Sequence, residues 1–325
     1  MSKAAIRIGN TAMLALAMTA GGPAFGALVF TPNYNDAAMS AAGLTAGQIT
    51  SVHTAFAAAT ALFASNFNDN IHINITVTAV AGTGTLGQSN TFLNSFSYAA
   101  IRAALIADSK TANDVIAVGA GGSVGAADPV ATAHNWWVST AQAKALGLIA
   151  DNATTDGTFT FGAGFNYAFD PNSVGVGQYD FQGVAMHEIS EIMGRIAGVG
   201  ISIGGSPAYL ASDLFRYTGP GVRGLTNGGG ISFSEDGGAT LVKLFNNNAA
   251  NGGDAADWAG GTNDSFNAFG TTGVKSPLTA VDLQIMDAIG YDAAASVPEP
   301  TTGLVTLSGL VALGFLRRRA KAHRP

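Results

Sequence analysis

Apolar and polar residues alternate along the chain in patterns that predict both strands and helices. Helical spacing of apolar residues predicts helices over 49–67, 97–108 and 141–149. Apolar, aromatic or alternating runs predict extended segments at 28–30, 71–80, 115–118 and 158–169. A further helix is predicted over 179–196, and irregular glycine-rich chain separates it from a last helix over 276–292. This order predicts an α+β fold with a mixed twisted sheet and one central helix.

The predicted central helix carries both an apolar and a polar stripe. At about 100° per residue, the sequence FQGVAMHEISEIMGRI gathers apolar residues on one side: Ala185, Ile189, Ile192 and Ile196. The polar residues gather on a different side: His187, Glu188, Glu191 and Arg195. The polar stripe has two interpretations at this point. It is either a functional site or the hydrated flank of an ordinary helix, with Glu191 and Arg195 as a surface ion pair.

The spacing of the polar residues suits metal chemistry. His187 and Glu191 are four residues apart, so an imidazole and a carboxylate project from one face about 5 to 6 Å apart and can converge on one cation. Glu188 is the next residue after His187, so it points to a position beside the metal. There it could take a proton from a metal-activated water. The segment reads H-E-x-x-E where zinc proteases have H-E-x-x-H.

Composition limits the ligands and the partners. The chain has 325 residues, a net charge of −6 and no cysteine, so any metal must bind through histidine and carboxylates. No strongly basic patch precedes the extreme C-terminus, which argues against nucleic acid as a partner. We predict one domain over 27–296.

Both ends of the chain have the pattern of processing signals. Residues 1–26 combine Lys3 and Arg7, an apolar run and a small-residue cleavage site, which predicts a signal peptide and therefore export. Residues 297–325 combine VPEP, a short apolar stretch that predicts a transmembrane segment, and an arginine-rich end. This tail resembles the PEP-CTERM sorting signal of Gram-negative bacteria. The resemblance implies a transient inner-membrane anchor, removal by an exosortase-type sorting enzyme after signal peptidase has acted, and delivery to the cell surface or extracellular matrix.

The central helix and its surroundings also resemble a protein family. HEISEIMGR, YDFQGVAMHE at its start and YLASDLFRYTGPGVR at 209–223 are similar to PEP-CTERM-tagged zincin-like metalloproteases. The metzincin pattern H-E-x-x-H-x-x-G-x-x-H matches at His187, Glu188 and Gly194 and departs at Glu191 and Ala197. The segment 276–292 resembles the closing helix of matrixin-like domains. The resemblance implies a single zincin-like, metzincin-related catalytic domain with a central active-site helix.

A third metal ligand is needed, and Ala197 cannot supply it. Asp213 is our candidate because a carboxylate about 20 to 25 residues beyond the helix recurrently completes zincin sites. The alternative for Asp213 is a structural role at the start of a following helix. Arg216 and Tyr217, on the same segment, are candidates to donate to the oxyanion formed on the attacked carbonyl.

These features together predict a secreted metallopeptidase that hydrolyses protein or peptide substrates. His187, Glu191 and Asp213 would bind Zn²⁺, with Mn²⁺ as the harder alternative, and Glu188 would be the general base. The competing hypothesis is a non-catalytic extracellular matrix or adhesion protein that retains a zincin fold. Ca²⁺ could occupy the glycine- and aspartate-rich loops at 228–241 and 246–258, but no ligand spacing there matches a calcium motif, so solvated turns are favoured.

Overall fold

The structure is a computed structural model that describes residues 27–246 and 253–294. Its helices are α1 (Asp36–Ala41), α2 (Ala46–Asn66), α3 (Tyr98–Asp108), α4 (Ala112–Val118), α5 (Thr140–Ala145), α6 (Phe181–Ile192), the 3₁₀ helix η1 (Ala211–Phe215) and α7 (Ala280–Ala288). Its longer strands are β1 (Val29–Tyr34), β2 (His72–Val80), β3 (Gly87–Thr91), β4 (Leu93–Phe96), β5 (Asn135–Ser139) and β6 (Gly157–Gly162). Shorter strands follow: β7 (Tyr167–Ala168), β8 (Tyr179–Asp180), β9 (Ser202–Ile203), β10 (Ser206–Leu210), β11 (Arg216–Gly219), β12 (Val222–Arg223), β13 (Ser232–Phe233) and β14 (Lys243–Leu244).

The main sheet places an edge strand beside the central helix. Its order is β1-β2-β6-β3, in which β1, β2 and β6 are parallel and β3 runs antiparallel to β6. Helices α2 and α6 contact each other, and α6 also contacts β6 and β3. Phe159 and Phe161 of β6 and Phe181 of α6 are fully buried, so this interface is part of the hydrophobic core. On the polar side of α6, Glu188 lies against Gly87 of β3, which is the edge strand of this sheet.

Smaller sheets complete the α+β architecture. The orders are β4-β5-β10-β9 and β12-β11-β13-β14, and β7 pairs with β8. They contain both parallel and antiparallel pairs. The predicted mixed α+β class is confirmed at this level.

Most of the predicted elements are present, with shifted ends. The helix predicted over 49–67 is α2, which begins at a capping box formed by Thr45 and Gln48. The helix predicted over 141–149 is shorter, because Gly147 turns the chain with a φ of +64° directly after α5. The helix predicted over 276–292 is α7, where Asp282 accepts the backbone N–H of Thr279 at 2.8 Å.

The strand predicted at 115–118 is wrong, because this segment belongs to helix α4. The Thr111 side chain accepts the N–H of Asp114, and Asp114 in turn accepts the N–H of Thr111, so a capping box begins the helix. Val115 and Ile116 are exposed, and only Ala117 of the run is buried. A run of four apolar residues does not separate a buried strand from a helical turn, and here the cap decides.

The predicted signal peptide at 1–26 and the sorting signal at 297–325 lie outside the described residues. Within the described ranges, none of the helices is both long and apolar enough to cross a membrane. Export and the membrane anchor therefore stay predictions made from the sequence.

A carboxylate cluster next to the last described residues predicts how stability varies with pH. Burial, reinforced by the charge of Asp292, raises the pKa of Asp69 to about 7 and that of Asp108 to about 8. The ordinary value for both is 3.8. Between pH 3.8 and about pH 7 to 8, these two carboxyl groups keep protons in the folded chain that they have released in the unfolded chain. The free energy of unfolding therefore falls as pH rises.

Replacing both acids by asparagine is expected to flatten this dependence. We predict that the urea-unfolding midpoint of the double variant Asp69→Asn, Asp108→Asn falls less between about pH 5 and about pH 8 than that of the unaltered protein. Asp170→Asn, at an exposed aspartate, is the control and should keep the original slope. An equal slope in all three proteins would contradict the assignment.

Candidate metal centre

Helix α6 has well-defined ends that fix the orientation of its polar side. Asp180 caps its start by accepting the N–H of Gln182 at 3.1 Å, and its other carboxylate oxygen accepts the N–H of Ser276 at 2.9 Å. The helix ends after Ile192 because Gly194 has a φ of +110°. The prediction of helix as far as residue 196 is therefore too long, and Arg195 lies beyond the helix.

The acidic side chains on the polar side of α6 are buried, as is the arginine that follows the helix. Ile189 and Ile192 have no exposed surface, as predicted for the core stripe. Glu188 and Glu191 are only 6% and 7% exposed, and Arg195 is 0% exposed. Charged side chains are almost never buried without specific partners. The interpretation of this side as a hydrated flank is therefore wrong.

His187, Glu191 and Asp257 converge on one point. His187 Nε2 lies 3.3 Å from Glu191 Oε1 and 3.4 Å from Asp257 Oδ1. One ligand atom from each of the three residues lies within 4.8 Å of the other two, and the described residues contain no other such group. One imidazole nitrogen and two carboxylate oxygens at this spacing are a donor set that fits Zn²⁺ or Mn²⁺.

The imidazole of His187 is oriented by its second nitrogen. Nδ1 lies 2.9 Å from the carbonyl oxygen of Ser265, which can only accept, so Nδ1 carries the hydrogen and Nε2 faces the carboxylates. The preceding residue, Asp264, fixes this turn by accepting the N–H of Phe266 and the hydroxyl of Thr279. A histidine whose other ring N–H is held by a backbone carbonyl is typical of metal ligands.

The charges in the group favour a cation between the carboxylates. Burial lowers the pKa of His187, but the charge of Asp257 and the hydrogen bond with Glu191 outweigh it and raise this pKa to about 10. Burial raises the pKa of Glu191, but its contacts with His187 outweigh that effect and lower this pKa to about 2. The same two carboxylates would attract a divalent cation placed between them and the imidazole.

Glu188 lies beside the group without belonging to it. Its carboxylate is packed against β3, where a Cβ added to Gly87 would be 2.4 Å from Glu188 Oε1. Burial, together with the charge of Glu191, raises the pKa of Glu188 well above its ordinary value. A buried glutamate with a raised pKa next to a cation site has the properties of a general base.

These residues line a cleft of ≈ 850 Å³ between α6, the open edge of β3 and the chain after residue 253. Its walls include segments 84–89 and 267–270, together with His187, Glu188 and Glu191. The volume is in the range of ligand-binding clefts. The candidate metal ligands are therefore accessible from one side while their other contacts are buried.

Asp213 is not part of the metal group. The prediction is wrong because its carboxylate faces backbone: Oδ2 accepts the N–H groups of Gly198 and Leu210, each at 2.8 Å. It is fully buried and holds the start of η1, which is close to the structural alternative considered for it. Arg216 and Tyr217 do not line the cleft either, and Arg216 donates to the carbonyl oxygen of Gly224.

Asp257 is the candidate ligand that the sequence pattern missed. Residues 246–258 were predicted as solvated turns, but Asp257 is only 2% exposed and Trp258 is fully buried. The aspartate is held from both sides, because Oδ1 accepts from Arg195 and Oδ2 accepts the N–H of Asp254. The one available signal was a large aromatic residue next to an aspartate in an otherwise polar loop. It predicts burial but not convergence with α6.

No protein-family model matches the chain, and neither does any curated protein or solved structure. Function must therefore be inferred from the chemistry of the site.

Proposed function

We propose that this protein is an exported metallopeptidase with a zincin-like active site. The observation that carries the proposal is the convergence of His187, Glu191 and Asp257, with Glu188 beside them in an open cleft. The first two ligands come from successive turns of one helix and the third from a later loop. Catalytic zinc sites typically have three protein ligands and leave the fourth position open for water or substrate. The arrangement of these three residues beside a cleft supports such a site.

The donor set accommodates zinc and also a harder metal. Zn²⁺ bound by one histidine and two carboxylates leaves the first coordination shell neutral, since two positive charges meet two negative ones. Two carboxylates also suit Mn²⁺ better than three histidines would. When bound, the cation would supply a Lewis acid for the substrate carbonyl and would activate a water molecule.

The protein's own side chains divide the remaining work. Glu188 accepts a proton from the attacking water and later gives it to the leaving amine. His187 and Asp257 stay oriented throughout, because the Ser265 carbonyl and Arg195 hold their outer sides. Burial of these groups keeps the proton transfer away from bulk water.

Strand β3 supports a peptide as the substrate. The N–H of Phe92 bonds to the carbonyl of Asp156, so the antiparallel alternation directs the backbone groups of Gly87, Ser89 and Thr91 away from β6. Among the described residues these groups have no backbone hydrogen-bond partner, and they face the open edge, where 84–89 line the cleft. An extended peptide can pair with such an edge and thereby pass the metal centre.

The proposal extends to the cellular setting through the two terminal signals. A signal peptidase would act at 1–26 and an exosortase-type enzyme at 297–325, which would deliver the domain to the cell surface or matrix. The domain has no cysteine and therefore no disulfide bond, so its stability outside the cell would depend on the hydrophobic core and on the bound cation.

Chelation tests the proposal directly. We expect the purified protein to cleave casein, to lose this activity in EDTA, and to regain it on addition of Zn²⁺ or Mn²⁺. Zinc at about 100 times its dissociation constant should stabilise the fold by about 2.7 kcal/mol, measured as a higher unfolding temperature. Metal binding without any cleavage would favour the non-catalytic alternative, and the absence of both Zn²⁺ and Mn²⁺ binding would reject the site and the enzyme.

A further inference from the structure

Arg195 lies directly behind the metal group and contacts the carboxylates of both acidic ligands. Its Nη1 donates to Asp257 Oδ1 at 2.8 Å, and its Nη2 lies 4.0 Å from Glu191 Oε1. These are the same two oxygens that face His187 Nε2. The guanidinium and a bound cation would therefore share two oxygen atoms.

The surroundings of Arg195 hold it in this place. Nε donates to Ser190 Oγ at 2.8 Å, Nη1 also donates to the carbonyl oxygen of Ala256, and the guanidinium carbon lies 4.3 Å from the centre of the Phe266 ring. The side chain has no exposed surface. Nη2 is buried and has no hydrogen-bond partner among the described residues, although it points toward Glu191. A buried donor left without a partner is costly, so its retention here requires a reason.

We propose that Arg195 supplies a fixed positive charge to the metal centre through its contacts with the two acidic ligands. Its charge keeps the occupied centre positive, since a divalent cation, two carboxylates and one guanidinium sum to +1. This inference rests on the metal centre of the proposed function. It makes Arg195 a positioning residue, because it acts on the metal through the two carboxylates.

The charge of Arg195 should oppose metal binding and assist catalysis. A fixed positive charge a few ångströms from the cation repels it, and we expect this repulsion to weaken zinc binding by about tenfold. The same charge withdraws electron density from the carboxylates and leaves the cation a stronger Lewis acid. A residue that only fills space would not separate these two effects.

Two substitutions separate charge from shape. Arg195→Gln removes the charge but keeps a hydrogen-bond donor near Asp257, whereas Arg195→Lys keeps the charge and loses the planar fork. We expect Arg195→Gln to bind Zn²⁺ about tenfold more tightly and to cleave casein about tenfold more slowly than the unaltered protein. Arg195→Lys should bind zinc with nearly unaltered affinity. Zinc affinity is measured by competition with a chromogenic chelator in the full-length protein.

The matched control is Arg216→Gln, at a second buried arginine that lies 3.9 Å from the buried Asp213, away from the metal group. It should lower stability and leave zinc affinity unchanged. Weaker zinc binding by both Arg195 variants, in step with their loss of stability, would overturn the inference. If Arg195→Gln does not fold, Arg195→Lys decides the question: unaltered zinc affinity supports a charge effect and lost affinity rejects it. Failure of the unaltered protein to bind either Zn²⁺ or Mn²⁺ would instead reject the proposed metal centre itself.

Discussion

Replacing Glu188 with glutamine is expected to lower peptide cleavage by about 10²–10⁴-fold while zinc remains bound, because general-base catalysis contributes about that factor. Glutamine has the same shape but cannot accept the proton. Glu188 is not in the candidate metal group, so the three candidate ligands keep their donor atoms in this variant. The measurements are kcat/KM on a peptide or casein and zinc content after gel filtration.

The position of Glu188 gives this prediction its specificity. The carboxylate is only 6% exposed and lies against the backbone of β3, where Gly87 leaves room for it. Burial and the negative charge of Glu191 raise its pKa, so the acidic limb of the activity profile should lie above that expected for an ordinary glutamate. A cation bound to Glu191 would reduce part of this repulsion.

A second buried glutamate serves as the control. Glu235 is also 6% exposed, and its carboxylate accepts a hydrogen bond from Gln284 rather than lining the cleft. Glu235→Gln should retain full activity. If Glu188→Gln and Glu235→Gln were equally active, Glu188 would not be the base. If both lost activity together with zinc, a folding defect would be the explanation.

The sequence pattern predicted the helix of the site because local rules determine it. His187 and Glu191 are adjacent on any α-helix, whatever surrounds it, although Gly194 ends this helix earlier than predicted. The i to i+4 spacing therefore predicted correctly that these two side chains meet, and His187 Nε2 lies 3.3 Å from Glu191 Oε1. The α+β class followed in the same way from the alternation of apolar residues.

Burial of the polar stripe could not be predicted from the helix alone. A helical wheel separates His187, Glu188, Glu191 and Arg195 from the apolar stripe, but it does not say whether solvent or protein covers them. In the fold, β3 covers Glu188 and Ser89 donates to Glu191 Oε2 at 2.6 Å. The partner strand is about 100 residues earlier in the chain, and only the sheet topology brings it there.

The third ligand depends on still longer-range contacts. Counting residues beyond the helix suggested Asp213, but the chain after Gly194 first forms β9, β10 and η1, and Asp213 is used to hold that turn. Asp257 reaches the centre from a loop that is fixed by Trp258 and by the buried Arg195. Sequence distance does not encode such a contact, since loops of any length can close at small additional cost.

The two aspartates can therefore be distinguished by the same substitution. Asp257→Asn is expected to weaken zinc binding by about 10²–10³-fold, because one ligand in a zinc site of about 10–16 kcal/mol contributes about 3 kcal/mol. Asp213→Asn should leave zinc affinity unchanged and lower the free energy of unfolding, since its carboxylate accepts two buried N–H groups. Zinc affinity and urea unfolding are measured on both variants.

The pattern of the two effects decides which acid completes the site. Both residues are almost fully buried and both have an arginine neighbour, so a general penalty for removing a buried charge applies to each. Loss of zinc binding in Asp213→Asn alone would restore the candidate suggested by the sequence and reject Asp257. Loss of zinc binding in Asp257→Asn alone, with cleavage abolished in the same variant, would identify Asp257 as the third ligand. A loop predicted to be solvated would then complete the catalytic centre that the H-E-x-x-E helix begins.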